Sequence, residues 1–212
     1  MSQAAILTGD LIGSTEAGRD ATGAALDLIE RIAVQNGAQR FTRFRGDGWH
    51  CATTLALGPR LALRLIAGLV AAGGVQSRIA IGLGRVESWG AGELLSQAAG
   101  PALTASGRAL DAMAPDQVLA LASAFPDPLG QMNPRDQALA RLWEALARRW
   151  SPEQAEALGP ALEGQRQTVI AARLGITKQA VSLRLKAASA AALTESLALW
   201  EAAMTALPPE TP

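Results

Sequence analysis

One cysteine, Cys51, and one histidine, His50, are all that this chain of 212 residues offers to thiol or imidazole chemistry. An internal disulfide and a multi-cysteine zinc site are excluded. A histidine-based metal centre or catalytic triad is disfavoured for the same reason, and both residues read as strand packing. Apolar runs are interrupted by Gly, Arg or Pro well short of the roughly 20 residues that cross a bilayer. The opening MSQAAILTGD lacks the basic start and long apolar core of a secretory signal. These absences give a cytoplasmic reading with no membrane partner. Net charge is lacking too: 19 basic residues balance 19 acidic ones, so the surface is not uniformly basic. With 49% hydrophobic and 18% charged residues the composition is globular.

The neutral average hides an asymmetry. Between Gly164 and Ala192 lie Arg166, Arg173, Lys178, Arg184 and Lys186, with no acidic residue. A local basic patch on an otherwise acidic chain points to a confined contact with a polyanion.

Upstream, strand and helix signals alternate. Ala4 to Thr8 is a short apolar strand ending at Gly9-Asp10. Ser14 and Thr15 are N-cap residue types with Glu16 in the following turn, and Ala25, Leu28, Ile29, Ile32 and Ala33 then recur at helical spacing. Arg40 to Arg45 and Trp49 to Thr54 flank the hairpin turn Gly46-Asp47-Gly48. A helix over Pro59 to Ala72 ends at Gly73-Gly74. Ser77 to Val86 is a strand, Pro101 to Met113 a helix and Gln117 to Leu121 a last strand. The order β-α-β-β-α-β-α-β contains the ferredoxin-like split unit. A Pro/Gly-rich stretch then breaks the pattern, and everything after Asn133-Pro134 is helical. The expected class is α+β: a ferredoxin-like domain over 1–124, a linker over 125–133 and an all-helical domain over 134–212. In the last, Leu139, Leu142, Trp143, Leu146 and Trp150 form an apolar stripe. Leu193, Leu197, Trp200, Met204 and Leu207 form a seam of alternating four and three spacing. That seam either pairs two copies of the chain or packs on its own Trp143 and Trp150.

Within the helical part, Gln167 to Lys186 has the pattern of a helix-turn-helix. Ala171 is small where two helices approach, and Gly175 permits the positive φ of a tight turn. Val181 and Leu185 stand one turn apart and face inward. Gln179, Ser182, Leu183 and Lys186 lie opposite, on the face that enters a major groove. Gln179 suits adenine and Leu183 a thymine methyl. Thr177, Lys178 and Arg184, with Arg166 upstream, suit phosphates. The segment resembles the helix-turn-helix of sigma-factor region 4, including Trp150-Ser-Pro-Glu-Gln154 and Leu162-Glu-Gly164 ahead of it. There Ser151 caps a helix begun by Pro152. Double-stranded DNA is the expected partner.

Two acidic turns remain, Thr8-Gly9-Asp10-Leu-Ile-Gly13-Ser-Thr15 and Arg45-Gly46-Asp47-Gly48. If their strands are neighbours, Asp10 and Asp47 meet at one end of a sheet. Two close carboxylates suit Mg²⁺ with a nucleotide. Residues 4 to 121 resemble a class III nucleotidyl cyclase domain. The resemblance implies a metal-binding role for Asp10 and Asp47, base selection by Arg43 and Gln97, and phosphate stabilisation by Arg108. Thr104 stands where that family carries a transition-state asparagine and cannot donate the same amide hydrogen bond. The stretch between Gly84 and Gly100 is short for the family's dimerisation arm. A diverged cyclase-like domain joined to a helix-turn-helix is similar to the SatD-like family. The resemblance implies a DNA-binding transcriptional regulator, expected to be a homodimer, whose cyclase-like domain is catalytically inactive and dimerises or senses a nucleotide. The alternative is an active Mg-dependent cyclase with a DNA-targeting module.

Overall fold

The computed structural model describes residues 2–44, 46–92, 94–125 and 134–206. The first part runs β1 (Ser2–Leu11), α1 (Ser14–Gln35), β2 (Arg40–Arg43), β3 (Gly48–Thr53), α2 (Gly58–Ala72), β4 (Ser77–Val86), α3 (Pro101–Asp111) and β5 (Leu119–Ser123). The second runs α4 (Pro134–Ala147), α5 (Pro152–Leu162), α6 (Gln167–Leu174), α7 (Lys178–Ala187) and α8 (Ala190–Thr205). The chain is therefore mixed α+β, with one sheet of strand order β2-β3-β1-β4-β5. All neighbours are antiparallel except β4 and β5, which run parallel. The expected element order is found, with β5 starting two residues later than its sequence pattern suggested.

Alternation along the strands sorts the two faces of the sheet. Ala5, Leu7, Ile79, Ile81 and Leu83 join the main core with α1 and α2. Ala4, Ile6, Ala52 and Val86 form a smaller cluster with Ala102 of α3 on the other face. Gly82 lets α3 approach closely, since a Cβ there would stand 2.2 Å from the Ala102 carbonyl oxygen. After β4 the chain folds back through a bridge between Ser88 and Ala99, with the Arg40 guanidinium over the Trp89 ring.

Three local expectations need correction. Ser14 is the first helical residue rather than the N-cap, which is Gly13 in left-handed geometry (φ 68°). The chain leaves helical geometry again at Gly18 (φ 81°, ψ 169°), so α1 opens with a single detached turn. In α4 the buried face is Ala140, Trp143, Glu144 and Ala147. Leu142, expected in the apolar stripe, points about 150° away from the centre of that face and is 64% exposed. The linker beyond Phe125, the Asn133 cap and Leu207 lie outside the described residues.

The helical part packs against α2. Apolar residues surround α2 on all sides, so it needs cover on both faces: the sheet supplies one and the later helices the other. Core residues from Ala5 through Leu61 and Leu65 to Leu158, Leu197 and Trp200 form one continuous cluster. The α8 seam is used inside the chain. Leu193 and Leu197 are fully buried, and Trp200 meets the edge of Trp143 with centroids 5.8 Å apart. Of the two roles expected for that seam, the structure has the internal one. Polar ties reinforce the contact: Trp200 Nε1 donates to the Leu55 carbonyl at 3.4 Å, and Arg60 pairs with Glu201. The buried carboxylate of Glu144 accepts the Val118 N–H at 2.7 Å. Among the described residues no helix is long and apolar enough to cross a membrane.

Candidate functional site

Two places collect the residues singled out by the sequence. The first is the pair α6 and α7. α6 ends at Gly175, whose φ of 65° lets its N–H reach the Ala171 carbonyl and turns the chain sharply. Thr177 then caps α7, its Oγ1 accepting the Ala180 N–H at 3.1 Å. Ile170, Ala171, Val181 and Leu185 are buried beneath the two helices. α5 supports them, and it starts with the expected cap: Ser151 and Gln154 form a reciprocal capping box.

With Val181 and Leu185 inward, the other face of α7 is left to solvent. Lys178, Gln179, Ser182, Leu183 and Lys186 are all exposed, as are Arg166 and Thr177. Leu183 is 68% exposed, a large apolar side chain left uncovered by the described residues. Arg184 departs from its expected role. It turns back toward α5 and pairs with Glu156 at 2.9 Å, so it braces α7 rather than standing free for a phosphate.

The second place is the end of the sheet where β1, β3 and β4 meet. Register sets Asp10 opposite both Gly48 and Arg78. Asp47, one residue before Gly48, therefore falls at the same end, as neighbouring strands require. Arg78 grips Asp10 in a fork: Nε donates to Oδ1 at 2.9 Å and Nη2 donates to Oδ2. That pairing holds the Arg78 guanidinium above its ordinary pKa, aided by the fields of Asp111 and Asp47. Asp47 accepts a hydrogen bond from Ser14 Oγ. This geometry does not fit a two-metal centre. Both Asp10 oxygens already face a guanidinium, and among the described residues no group of three His, Cys, Asp or Glu side chains is placed to hold a metal ion.

The other residues implied by the cyclase resemblance are scattered. Arg43 pairs with Asp27 (2.8 Å) and Glu30 on α1. Gln97 is exposed on a short 3-10 turn, Leu95–Gln97. Thr104 and Arg108 sit one turn apart on α3 and line an open groove of about 720 Å³ with Glu87, a groove whose lining includes neither Asp10 nor Asp47.

His50 and Arg78 complete this end of the sheet. The His50 ring lies 3.8 Å from Phe44. Its Nδ1 is 2.8 Å from Thr8 Oγ1, which is 2.8 Å from Ser106 Oγ, which donates to the Leu103 carbonyl at 3.0 Å. One proton arrangement satisfies every link: the neutral imidazole donates from Nδ1 to Thr8, and Thr8 donates to Ser106. Burial pushes the His50 pKa down to about 4 from 6.5. Protons therefore bind the unfolded chain more readily. The stabilisation is complete above about pH 6.5 and falls away as the pH drops toward 4, by about 3 kcal/mol. Urea unfolding at pH 7.5 and pH 4.5 is expected to show a smaller acid loss for His50→Asn than for the parent. Equal losses contradict the half-buried neutral histidine. Cys51 beside it is fully buried, which raises its thiol pKa and keeps it protonated.

Sequence reasoning missed Arg78, because strand register decides its partner. It also missed Arg60 and Arg64, whose signal was available: two arginines one turn apart in an otherwise apolar helix require partners. Compared with known proteins, the chain matches no family model and no curated protein.

Proposed function

We propose that the protein is a sequence-specific regulator of double-stranded DNA, with α6 and α7 as a helix-turn-helix and α7 as the recognition helix. The observation that carries this reading is the outer face of α7. Gln179, Ser182, Leu183 and Lys186 project together from a helix whose opposite face is buried, within a stretch free of acidic residues. Among the described residues none packs over that face. Gln179 offers the paired donor and acceptor that read adenine, Leu183 an apolar surface for a thymine methyl. Arg166, Lys178 and Lys186 supply charge for the flanking phosphates.

The mixed part is then a support and sensing domain. Its strand order β2-β3-β1-β4 agrees with the ferredoxin-like arrangement of a class III cyclase domain, and the order of parts agrees with the SatD-like family. The Asp10–Arg78 fork and Thr104 both favour an inactive domain over a working cyclase. Two copies binding half-sites one helical turn apart would give the homodimer usual for such motifs. Because the α8 seam is internal, pairing falls to the mixed part.

Gln179→Ala tests the recognition role. On the preferred site it is expected to lose about 1–3 kcal/mol of affinity, confined to one base position per half-site. Fluorescence anisotropy against a panel of single-base variants reads this. A uniform loss across the panel, or none, contradicts base reading by Gln179.

A further inference from the structure

A cleft of about 710 Å³ lies between the mixed part and the helices that carry α7. Three arginines from three helices line it: Arg31 of α1, Arg64 of α2 and Arg173 of α6. Arg64 is 5% exposed, and its Nε has no hydrogen-bond partner among the described residues. Burying an N–H of this kind without an acceptor is unfavourable. The other end of the guanidinium is committed to Glu163, which Gln165 also touches. Burial and the nearby Arg60 charge lower the Arg64 pKa to about 10, so the group favours additional negative charge. The acidic residues in the lining are already engaged. Glu163 holds Arg64, and Glu156 holds Arg184. Arg31 and Arg173 at the mouth have no ionic partner among the described residues and are exposed. The cleft is therefore bordered by two exposed guanidinium groups, unpaired among the described residues, together with the buried Arg64. The rest of the lining mixes the apolar Leu28, Ile32 and Leu174 with the polar Gln35 and Gln165.

We infer that this cleft binds an organic phosphate, its anion held by Arg31, Arg64 and Arg173 and its body laid against Leu28, Ile32 and Leu174. Guanidinium groups suit phosphate because they offer several fixed donors. Such a ligand would join α1 and α2 to α6, the helix that positions α7, and so bias the poise of the DNA-binding face. That last consequence rests on the DNA-binding reading. Ligand binding itself does not, so the free protein tests it separately.

The experiment is calorimetry of the full chain with inorganic phosphate, AMP, ADP and glucose 6-phosphate. It is repeated on Arg31→Ala/Arg173→Ala and on Asp10→Ala. At least one organic phosphate is expected to bind more tightly than inorganic phosphate. The double variant, changed only at exposed positions, should weaken it by roughly tenfold or more, while Asp10→Ala leaves it unchanged. A nucleotide preference over the sugar phosphate would name the source of the phosphate. No probe binding below about 1 mM, or an affinity the double variant does not alter, overturns the proposal. So does binding lost in Asp10→Ala alone.

Discussion

Reversing two charges on α7, in Lys178→Glu/Lys186→Glu, is expected to weaken binding to every duplex by roughly 100-fold or more at moderate salt. Both lysines are exposed, and neither has an ionic partner among the described residues. Lys178 opens the reading helix and Lys186 lies at the far end of its proposed groove-facing surface, where phosphates flank the helix. Removing two phosphate contacts should also flatten the dependence of log affinity on log salt by about two. Folding should hardly change, since exposed positions away from packing usually shift stability by about 0.5 kcal/mol or less. Anisotropy titrations across a salt series, with a urea melt as control, separate the two effects. A variant that keeps parental affinity and salt slope would move the nucleic-acid contact off α7 altogether.

Trp143→Ala should have the largest effect on stability, about 3–5 kcal/mol. The ring is 2% exposed, meets Trp200 edge-on at 5.8 Å, and donates from Nε1 to Ser196 Oγ at 2.8 Å. Ser196 keeps the Leu193 carbonyl as a partner, so the loss comes mainly from the cavity. Trp200 in turn donates to Leu55 of the mixed part. The damage should therefore spread, with α1 to β5 and α4 to α8 melting together at a lower urea midpoint. Far-ultraviolet circular dichroism and tryptophan fluorescence should trace one coincident transition. Two separate transitions, with only the helical one shifted, would contradict the continuous core.

Much of the fold was legible because each element announces itself locally. A short apolar run marks β1, Ile, Leu and Val mark β4, Gly73 stops α2, and Gly175 with Thr177 marks the turn and cap between α6 and α7. The misreadings came where local chemistry was outvoted. Ser14 looks like a cap, yet Gly13 takes the left-handed geometry and Ser14 turns to Asp47. Leu142 looks like core, yet the α4 face is centred on Ala140, Trp143 and Ala147 because Glu144 must reach the start of β5.

The candidate sites divide the same way. The outer face of α7 follows from periodicity alone once Val181 and Leu185 are placed inside. The surroundings of Asp10 do not, because its partner is set by the pairing of β1 with β4, and one residue of register would exchange every neighbour. The arginine cleft is harder still, as its lining comes from helices far apart in sequence. Its one sequence trace is α2 itself, apolar all round yet carrying Arg60 and Arg64, which demands a second layer with acidic partners. Glu201 and Glu163 supply them.

The central claim is that α7 reads base sequence. The most direct measurement incubates the full chain with a pool of fragmented genomic DNA and a pool of random duplexes, at several salt concentrations, and sequences what is retained. Enrichment of genomic fragments sharing a short motif is predicted, repeated at a spacing of about 10 base pairs if two copies bind together. Gln179→Ala should lose that enrichment at one position. Equal retention of genomic and random duplexes at every salt concentration would contradict sequence reading by α7.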